Sequence, residues 1–335
     1  MKINNRRYVG SKTRLMPWIK ESLESNCYDC HSFFDIFAGT GIVSYECLTM
    51  YDSFVINDFL YSNEIIYRAF FEQRKYSSNK LKNIKTEYNN VKTMENNYVS
   101  DNYGDKFFSM NDAKKIGFIR EDIEKKKNKK EINLKEYNIL VASLIYSLDK
   151  ISNTVGHYEA YIKNSEFKDM FVFDLIEPIK TSKKIRIYRE DSNALSKKIK
   201  ADIVFIDPPY NSRQYSRFYH VLETIVKWDK PELFGVAMKP KEENMSEYCK
   251  NSAPKVFEDL INNLKCKYIV VTYNNTYNSK STSSMNKITL EEIEKILKNR
   301  GETKIFSHKY NAFNAGKTDL ENHQELLFIT EVSNG

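Results

Sequence analysis

The chain has 335 residues, room for one large domain or a catalytic domain carrying a second, and its 41% apolar content is enough to build a buried core. Lys and Arg outnumber Asp and Glu by 52 to 45, a formal charge of +7, and 23 Tyr with 20 Phe supply flat faces on which bases can stack. No uncharged apolar stretch reaches the roughly 20 residues that a membrane span needs, and the N-terminal MKINNRRYVGSKTRL is polar and basic. These features set aside a membrane helix and an export signal and lead to the expectation of a cytoplasmic protein.

The five Cys make an odd count without a regular framework, which predicts reduced thiols. Cys27, Cys30 and His31 spell C-x-x-C-H. With no export signal and no second Cys pair, the spacing reads as chance near the start of a strand, and no metal site is expected.

Three textures follow one another along the chain. Residues 1–73 alternate helical and strand-like runs, with FFDIF and SFVIND as short β-rich segments bounded by turn signals. Asp35-Ile36-Phe37-Ala38-Gly39-Thr40-Gly41 runs from the first strand into a Gly-rich turn that opens a helix, where backbone N–H groups can approach a bound cofactor closely. Asp58 closes the next strand 17 residues after Gly41, where a carboxylate can accept hydrogen bonds from two ribose hydroxyls. Ser44 stands where a dinucleotide fingerprint would have its third Gly, which counts against a dehydrogenase.

Residues 74–182 lose the strand-like runs, become rich in Asn and Lys, and carry helical periodicity in LKEYNILVASLIYSLDKI. They predict a mostly helical insertion. Within it, Lys114–Lys135 holds nine basic residues against four acids and peaks at KKKNKK, where Lys125, Lys126 and Lys127 are expected on a surface loop that could face phosphates. From Lys183 to Gly335 the α/β texture returns, with KIRIYRED, ADIVFIDPPY and KYIVVTYNN as strands and LEEIEKILKNRG as a helix. The expected fold class is therefore α/β, a doubly wound Rossmann-like sheet of the seven-stranded type with helices on both faces, split by a helical insertion.

Asp207-Pro208-Pro209-Tyr210 follows the apolar strand ADIVFI, at the carboxyl end where open α/β sheets place their sites. Consecutive prolines remove two backbone donors and leave an acceptor-rich pocket. Such a pocket suits an aromatic amino group, which has two N–H donors and a lone pair delocalised into its ring. If the Asp207 carboxylate and the Pro208 carbonyl each accept one N–H, the nitrogen is drawn toward tetrahedral geometry and its lone pair becomes available. Tyr210 can stack on the base. A base inside a duplex could not reach this pocket, so it must be flipped out.

In these motifs the chain resembles the Dam-like, alpha-class N6-adenine-specific DNA methyltransferases, in their type II restriction-modification branch, over nearly its whole length. The resemblance rests on Tyr8-Val9-Gly10-Ser11-Lys12, the DIFAGTG turn, Asn57-Asp58, Asp191, DPPY and VTYNN, in that order. It implies S-adenosyl-L-methionine as cofactor, enclosed by Tyr8 and Lys12, with Lys12 near its carboxylate. Asp35, Phe37, Gly39 and Gly41 would meet its methionine part, Asp58 its ribose and Asp191 its adenine amino group. It also implies a catalytic domain formed by 1–73 and 183–335, a target-recognition domain at 74–182, double-stranded DNA as partner, and a cognate restriction endonuclease acting on the same site.

Arg213 and Arg217, close behind DPPY, are expected at phosphates. His220 reads as a packing or capping residue ahead of a catalytic one, and Asn274 and Asn275 as turn caps. Alternatives with the same fold are a cytosine-N4 or an RNA adenine methyltransferase, and a different class is a nucleic-acid-binding protein without turnover. Asp at the head of DPPY favours adenine, and the retention of Asp35, Gly39, Gly41, Asp58 and Asp207 favours turnover.

Overall fold

The computed structural model describes residues 1–92, 94–275, 285–309 and 324–333. The chain opens with α1 (Met16–Asn26), β1 (Ser32–Asp35), α2 (Ile42–Glu46) and β2 (Ser53–Asn57), and continues through five helices, α3 (Tyr61–Phe71), α4 (Ser78–Asn90), α5 (Tyr98–Tyr103), α6 (Met110–Asn128) and α7 (Leu134–Asp149). It returns with β3 (Lys184–Tyr188), α8 (Ser192–Ser196) and β4 (Ile203–Ile206), passes through α9 (Tyr215–Phe218) and α10 (His220–Lys227), and ends on α11 (Ala253–Asn263), β5 (Tyr268–Asn274), α12 (Leu290–Lys298), β6 (Gly301–Lys309) and β7 (Gln324–Val332). The contacts divide it into two units.

The first to consider is built from Ser11–Phe59, Lys183–Tyr215 and Asn244–Gly335 and holds the sheet. Its seven strands run in the order β3-β2-β1-β4-β5-β7-β6. The first five pair in parallel, while β7 pairs antiparallel with both β5 and β6. FFD, FVIN, IVFI and YIVVTY are nearly continuous apolar or aromatic runs because these central strands are covered on both faces. One face packs Phe34, Val204, Ile206, Ile269 and Val271 against Leu195 of α8, Phe257 and Leu260 of α11, and Ile293 of α12. On the other, Phe33 stacks against Tyr51 and Phe205. The edge strands carry Lys184 and Arg186 on β3 and Lys304 and Lys309 on β6, charges that discourage pairing with another chain. The strand order reverses between β1 and β4, and the crevice beyond the carboxyl ends of such a pair is where doubly wound sheets bind ligands.

The second unit holds Met1–Gly10, Leu60–Ser182 and Ser216–Glu243, so it is larger than the 74–182 segment. Its helices start where the sequence supplies caps. Asn133 and Glu136 form a reciprocal capping box at α7, as Asn97 and Ser100 do at α5, and Ser109 caps α6. After α7, residues 151–182 contain neither helix nor strand. Side chains satisfy this backbone instead: Met170 and Phe171 donate to the buried Asp112 carboxylate, Phe173 to Asn89, Asp174 to Ser147 and Ile176 to Ser143.

The KKKNKK run differs from the surface loop expected for it. Lys125, Lys126 and Lys127 lie in the last turn of α6. Lys126 reaches Asp122 at 2.6 Å and Glu87 at 3.4 Å, and Lys127 reaches Glu124 at 3.2 Å. Acids three and four residues earlier on the helix, and the favourable placement of cations at a helix C-terminus, stabilise the helix through the charge run.

Candidate active site

In the sheet unit, the ends of β1, β2 and β4 each deliver a carboxylate. Asp35 is the last residue of β1, in register with Ile56 of β2 and Phe205 of β4. Asp58 follows the end of β2 and Asp207 the end of β4. The turn after β1 places Gly39 at φ 52° and Gly41 at φ 75°, the left-handed region that only glycine enters without steric cost. The Gly39 N–H donates to Asp58 Oδ2 at 2.9 Å, which ties the turn to the second strand. Asn57 adds a second tie, its amide donating to the carbonyls of Ile36 and Glu190 and accepting from the Glu190 N–H.

Asp35 is almost fully enclosed, and Ser44 donates to its Oδ2 at 2.8 Å. Burial, with the neighbouring negative charges of Asp207 and Asp58, lifts its carboxyl to about 7 despite the Ser44 hydrogen bond. Ser44, the departure from a dinucleotide fingerprint, is thus the partner of Asp35. Asp35, stripped of water, and Asp58 leave negative charge at this crevice that a cationic ligand would complement, while Asp207 already has the Lys12 ammonium beside it.

Phe37 packs edge-on against Tyr248 with centroids 5.0 Å apart, and Tyr248 donates to Asn193 at 2.7 Å. Asp191 is the N-cap of α8 and accepts from Ala194 N at 2.9 Å.

Around Asp207 the structure assembles a compact network. Lys12 Nζ lies 2.8 Å from Asp207 Oδ1, Tyr210 donates to that same oxygen at 2.5 Å, and so does Thr272 Oγ1 at 2.8 Å. Lys12 also donates to the Tyr210 hydroxyl at 2.9 Å. The Lys12 ammonium, expected near a cofactor carboxylate, is placed at the partly buried carboxylate of DPPY, where opposite charge offsets the burial of the ammonium. The Tyr210 ring lies 4.6 Å from that of Tyr273. Asn274, the last residue of β5, accepts from the Asn286 amide, and Asn275 donates its N–H to the Gln324 carbonyl at the start of β7 and accepts the Gln324 N–H on its side-chain oxygen. Arg213 enters this unit through its backbone N–H to Asn211 Oδ1 and its carbonyl, which accepts from the Cys249 thiol.

The helical unit contains the remaining residues singled out by sequence. Tyr8 stacks face to face on Tyr219, centroids 4.8 Å apart and planes within 5°, beneath the buried Arg6 guanidinium. Arg217 donates to the Pro240 carbonyl at 2.7 Å. His220 is buried, with Nδ1 3.0 Å from the Arg217 carbonyl and Nε2 2.8 Å from that of Ala237. Desolvation pushes its imidazolium down to about 4, so the ring is neutral near pH 7 and packs within its own unit.

Cys27 and Cys30 are held as thiols by burial, pushed up to about 12 and about 11 respectively, and His31 instead faces Asp52 at 3.2 Å. Among the described residues no cluster of His, Cys, Asp and Glu could hold a metal ion. No helix among them is long and apolar enough to cross a membrane.

Sequence reasoning missed the role of Thr272, the one aliphatic hydroxyl in the strand run YIVVTY, and Glu223, whose carboxylate caps the N-terminus of α3 through Tyr61 and Ser62. A lone polar residue inside an otherwise apolar central strand is the signal that could have found Thr272.

The family profile for D12 class N6 adenine-specific DNA methyltransferases matches residues 8–296. The chain is 34% identical to the type II methyltransferase M.FokI of Planomicrobium okeanokoites over 96% of its own length and 52% of that protein's. It is 35% identical to the modification methylase StsI of Streptococcus sanguinis over 80% of its length and 44% of that protein's. It spans about half the length of these relatives, whereas with the type II methyltransferase M.NlaIII of Neisseria lactamica it shares 29% identity over 97% of itself and 98% of that protein. With the reversed sheet order, the Gly-rich turn tied to Asp58 and the Asp207 network, these matches show that the chain belongs to the D12 class N6 adenine-specific DNA methyltransferase family.

Proposed function

We propose that this protein is a site-specific DNA adenine N6-methyltransferase that uses S-adenosyl-L-methionine on a flipped adenine in duplex DNA and serves as the cytoplasmic modification enzyme of a restriction-modification system. A cognate endonuclease acting on the same site is the partner that such a role implies. The observation that carries the reading is the Asp207 carboxylate, oriented at the end of β4 beside the crevice where Asp35 and Asp58 converge. The family match and the relatives named as type II methyltransferases support it.

The cofactor, when bound, supplies an electrophilic methyl group on a sulfonium sulfur. The residues of the crevice fit such a group: Asp58 would take the ribose hydroxyls, Asp191 the adenine amino group, and the Gly39–Gly41 turn with Phe37 and Asp35 the methionine part. The buried Asp35 carboxylate favours a ligand with an ammonium and a sulfonium over a neutral one.

At the target, Asp207 and the Pro208 carbonyl accept the two amine N–H bonds and hold the nitrogen lone pair toward the donor. Tyr210 supplies an aromatic face. After transfer the nitrogen carries an acidic proton that departs to water, so no tuned base is required. The work of the chain is positioning and dipole stabilisation. In this reading Tyr8 would help enclose the cofactor, Arg213, Arg217 and the α6 lysines would contact phosphates, and the 74–182 region would provide target recognition.

Asp207→Ala tests the reading. Single-turnover methyl incorporation should fall by about a hundredfold or more, because the lost acceptor strengthens as the amine becomes tetrahedral. Cofactor binding measured calorimetrically should remain close to normal. A folded variant that methylates at the wild-type rate would remove Asp207 from the chemistry.

A further inference from the structure

The contacts at Asp207 are unequal between its two oxygens. Oδ1 receives Lys12, the Tyr210 hydroxyl and the Thr272 hydroxyl, all within 2.8 Å, and among the described residues Oδ2 takes none of these bonds. A carboxylate oxygen offers two in-plane lone pairs, so Oδ1 is saturated by groups of the protein itself. An amine N–H approaching this side chain must therefore use Oδ2. Resting on the methyltransferase reading above, we propose that Asp207 is divided into an anchor oxygen and a working oxygen, and that Thr272 is the positioning residue that fixes this division.

Sheet register explains why Thr272 can do so. Ile206 of β4 is level with Val271 of β5, so the next residues, Asp207 and Thr272, are cross-strand neighbours on the same face. Thr272 is 1% exposed and lies in a strand whose own backbone pairs with β7, so its hydroxyl sits on a rigid element. β-branching limits its χ1 freedom further. Lys12 and Tyr210 are different in kind: the first is a long side chain with several rotatable bonds on a single 3-10 turn before α1, the second lies in the turn after β4. Both also touch each other, so they can move together, whereas Thr272 holds Asp207 from the sheet. A hydroxyl donor on a strand is suited to setting the carboxylate plane, which in turn sets the direction in which Oδ2 draws the amine proton.

The consequence is a kinetic signature that packing alone does not produce. Thr272→Val keeps the shape and the branching and removes only the donor, while Thr272→Ser restores the donor. With the full chain, a duplex carrying a methylatable site and S-adenosylmethionine, single-turnover methylation by Thr272→Val should fall roughly ten- to a hundredfold, less than the roughly hundred- to thousandfold seen when a donor that touches the reacting charge is lost, because Thr272 acts through Asp207. KM for DNA and cofactor affinity should stay within about twofold, and Thr272→Ser should recover most of the rate. A melting curve on each variant separates misfolding from mispositioning. If folded Thr272→Val methylates as fast as wild type while Asp207→Ala does not, Thr272 does not position the acceptor and the division of oxygens fails with the methyltransferase reading intact. If wild-type protein itself transfers no methyl to any tested adenine-containing duplex library, the reading beneath it fails.

Discussion

Asp35 shows how a residue can be costly to the fold and useful to the site. Its carboxyl holds a proton up to about 7 in the folded chain against an ordinary value of 3.8, so its contribution to stability is fully present below pH 3.8 and is lost as pH rises through about 7. Asp35→Asn has no proton to lose. Without cofactor it should melt higher than wild type at pH 8, with the difference shrinking toward pH 5, and it should bind S-adenosylmethionine more weakly. A cation beside Asp35 favours the ionised form, so cofactor binding near neutral pH should release a proton. Calorimetry in two buffers of different ionisation heat reads this directly, and buffer-independent heats would place the cofactor's charge elsewhere.

Asp58→Ala should weaken cofactor binding by about 1 to 3 kcal/mol, the range for hydrogen bonds to a charged acceptor, while DNA affinity measured without cofactor barely moves. Calorimetric titration giving wild-type cofactor affinity would take Asp58 out of the ribose site. At this scale the sequence was legible wherever spacing and chemistry coincide, as in Asp35 to Gly41, Asp58 and Asp207 to Tyr210. The destination of the Lys12 ammonium and the role of Thr272 depend on register between β4 and β5 and on a contact 195 residues apart in sequence, and no local pattern encodes either.

Among the elements, the strands declared themselves through apolar runs bounded by turns and the helices through periodicity, while the capping boxes of Asn133 with Glu136 and Thr289 with Glu292 were sequence signals left unused. KKKNKK was misread because charge density alone suggests a loop, whereas the pairs Asp122–Lys126 and Glu124–Lys127 make the same residues helix-compatible. Replacing Lys125, Lys126, Lys127, Lys129 and Lys130 by Gln should weaken DNA binding and flatten its salt dependence without changing cofactor affinity. Lys126→Gln alone should do less, since two acids already hold that ammonium. Unchanged DNA affinity at low and moderate salt in the fivefold variant would exclude this helix end from the phosphate contacts.

α10 is the other element whose role the sequence hid. Its Glu223 caps α3 with both oxygens, and Arg120 of α6 donates to the carbonyls of Ile225 and Val226 at its C-terminal end. Glu223→Ala should cost about 1 to 2 kcal/mol, as for the loss of a helix N-cap, and chemical denaturation showing less than a few tenths would mean that solvent replaces the cap.

At the scale of the whole molecule, the proposed reading draws together a surplus of positive charge, a sheet that reverses between β1 and β4, and acceptors collected at the ends of β1, β2 and β4. Family membership supports the proposed chemistry, and the match with M.NlaIII covers nearly all of both chains. The most direct test is to incubate the purified protein with radiolabelled S-adenosylmethionine and a diverse duplex DNA, digest the product to nucleosides and separate them. All label should run with N6-methyldeoxyadenosine, whereas label on N4-methyldeoxycytidine, or none on any nucleoside, would contradict the account.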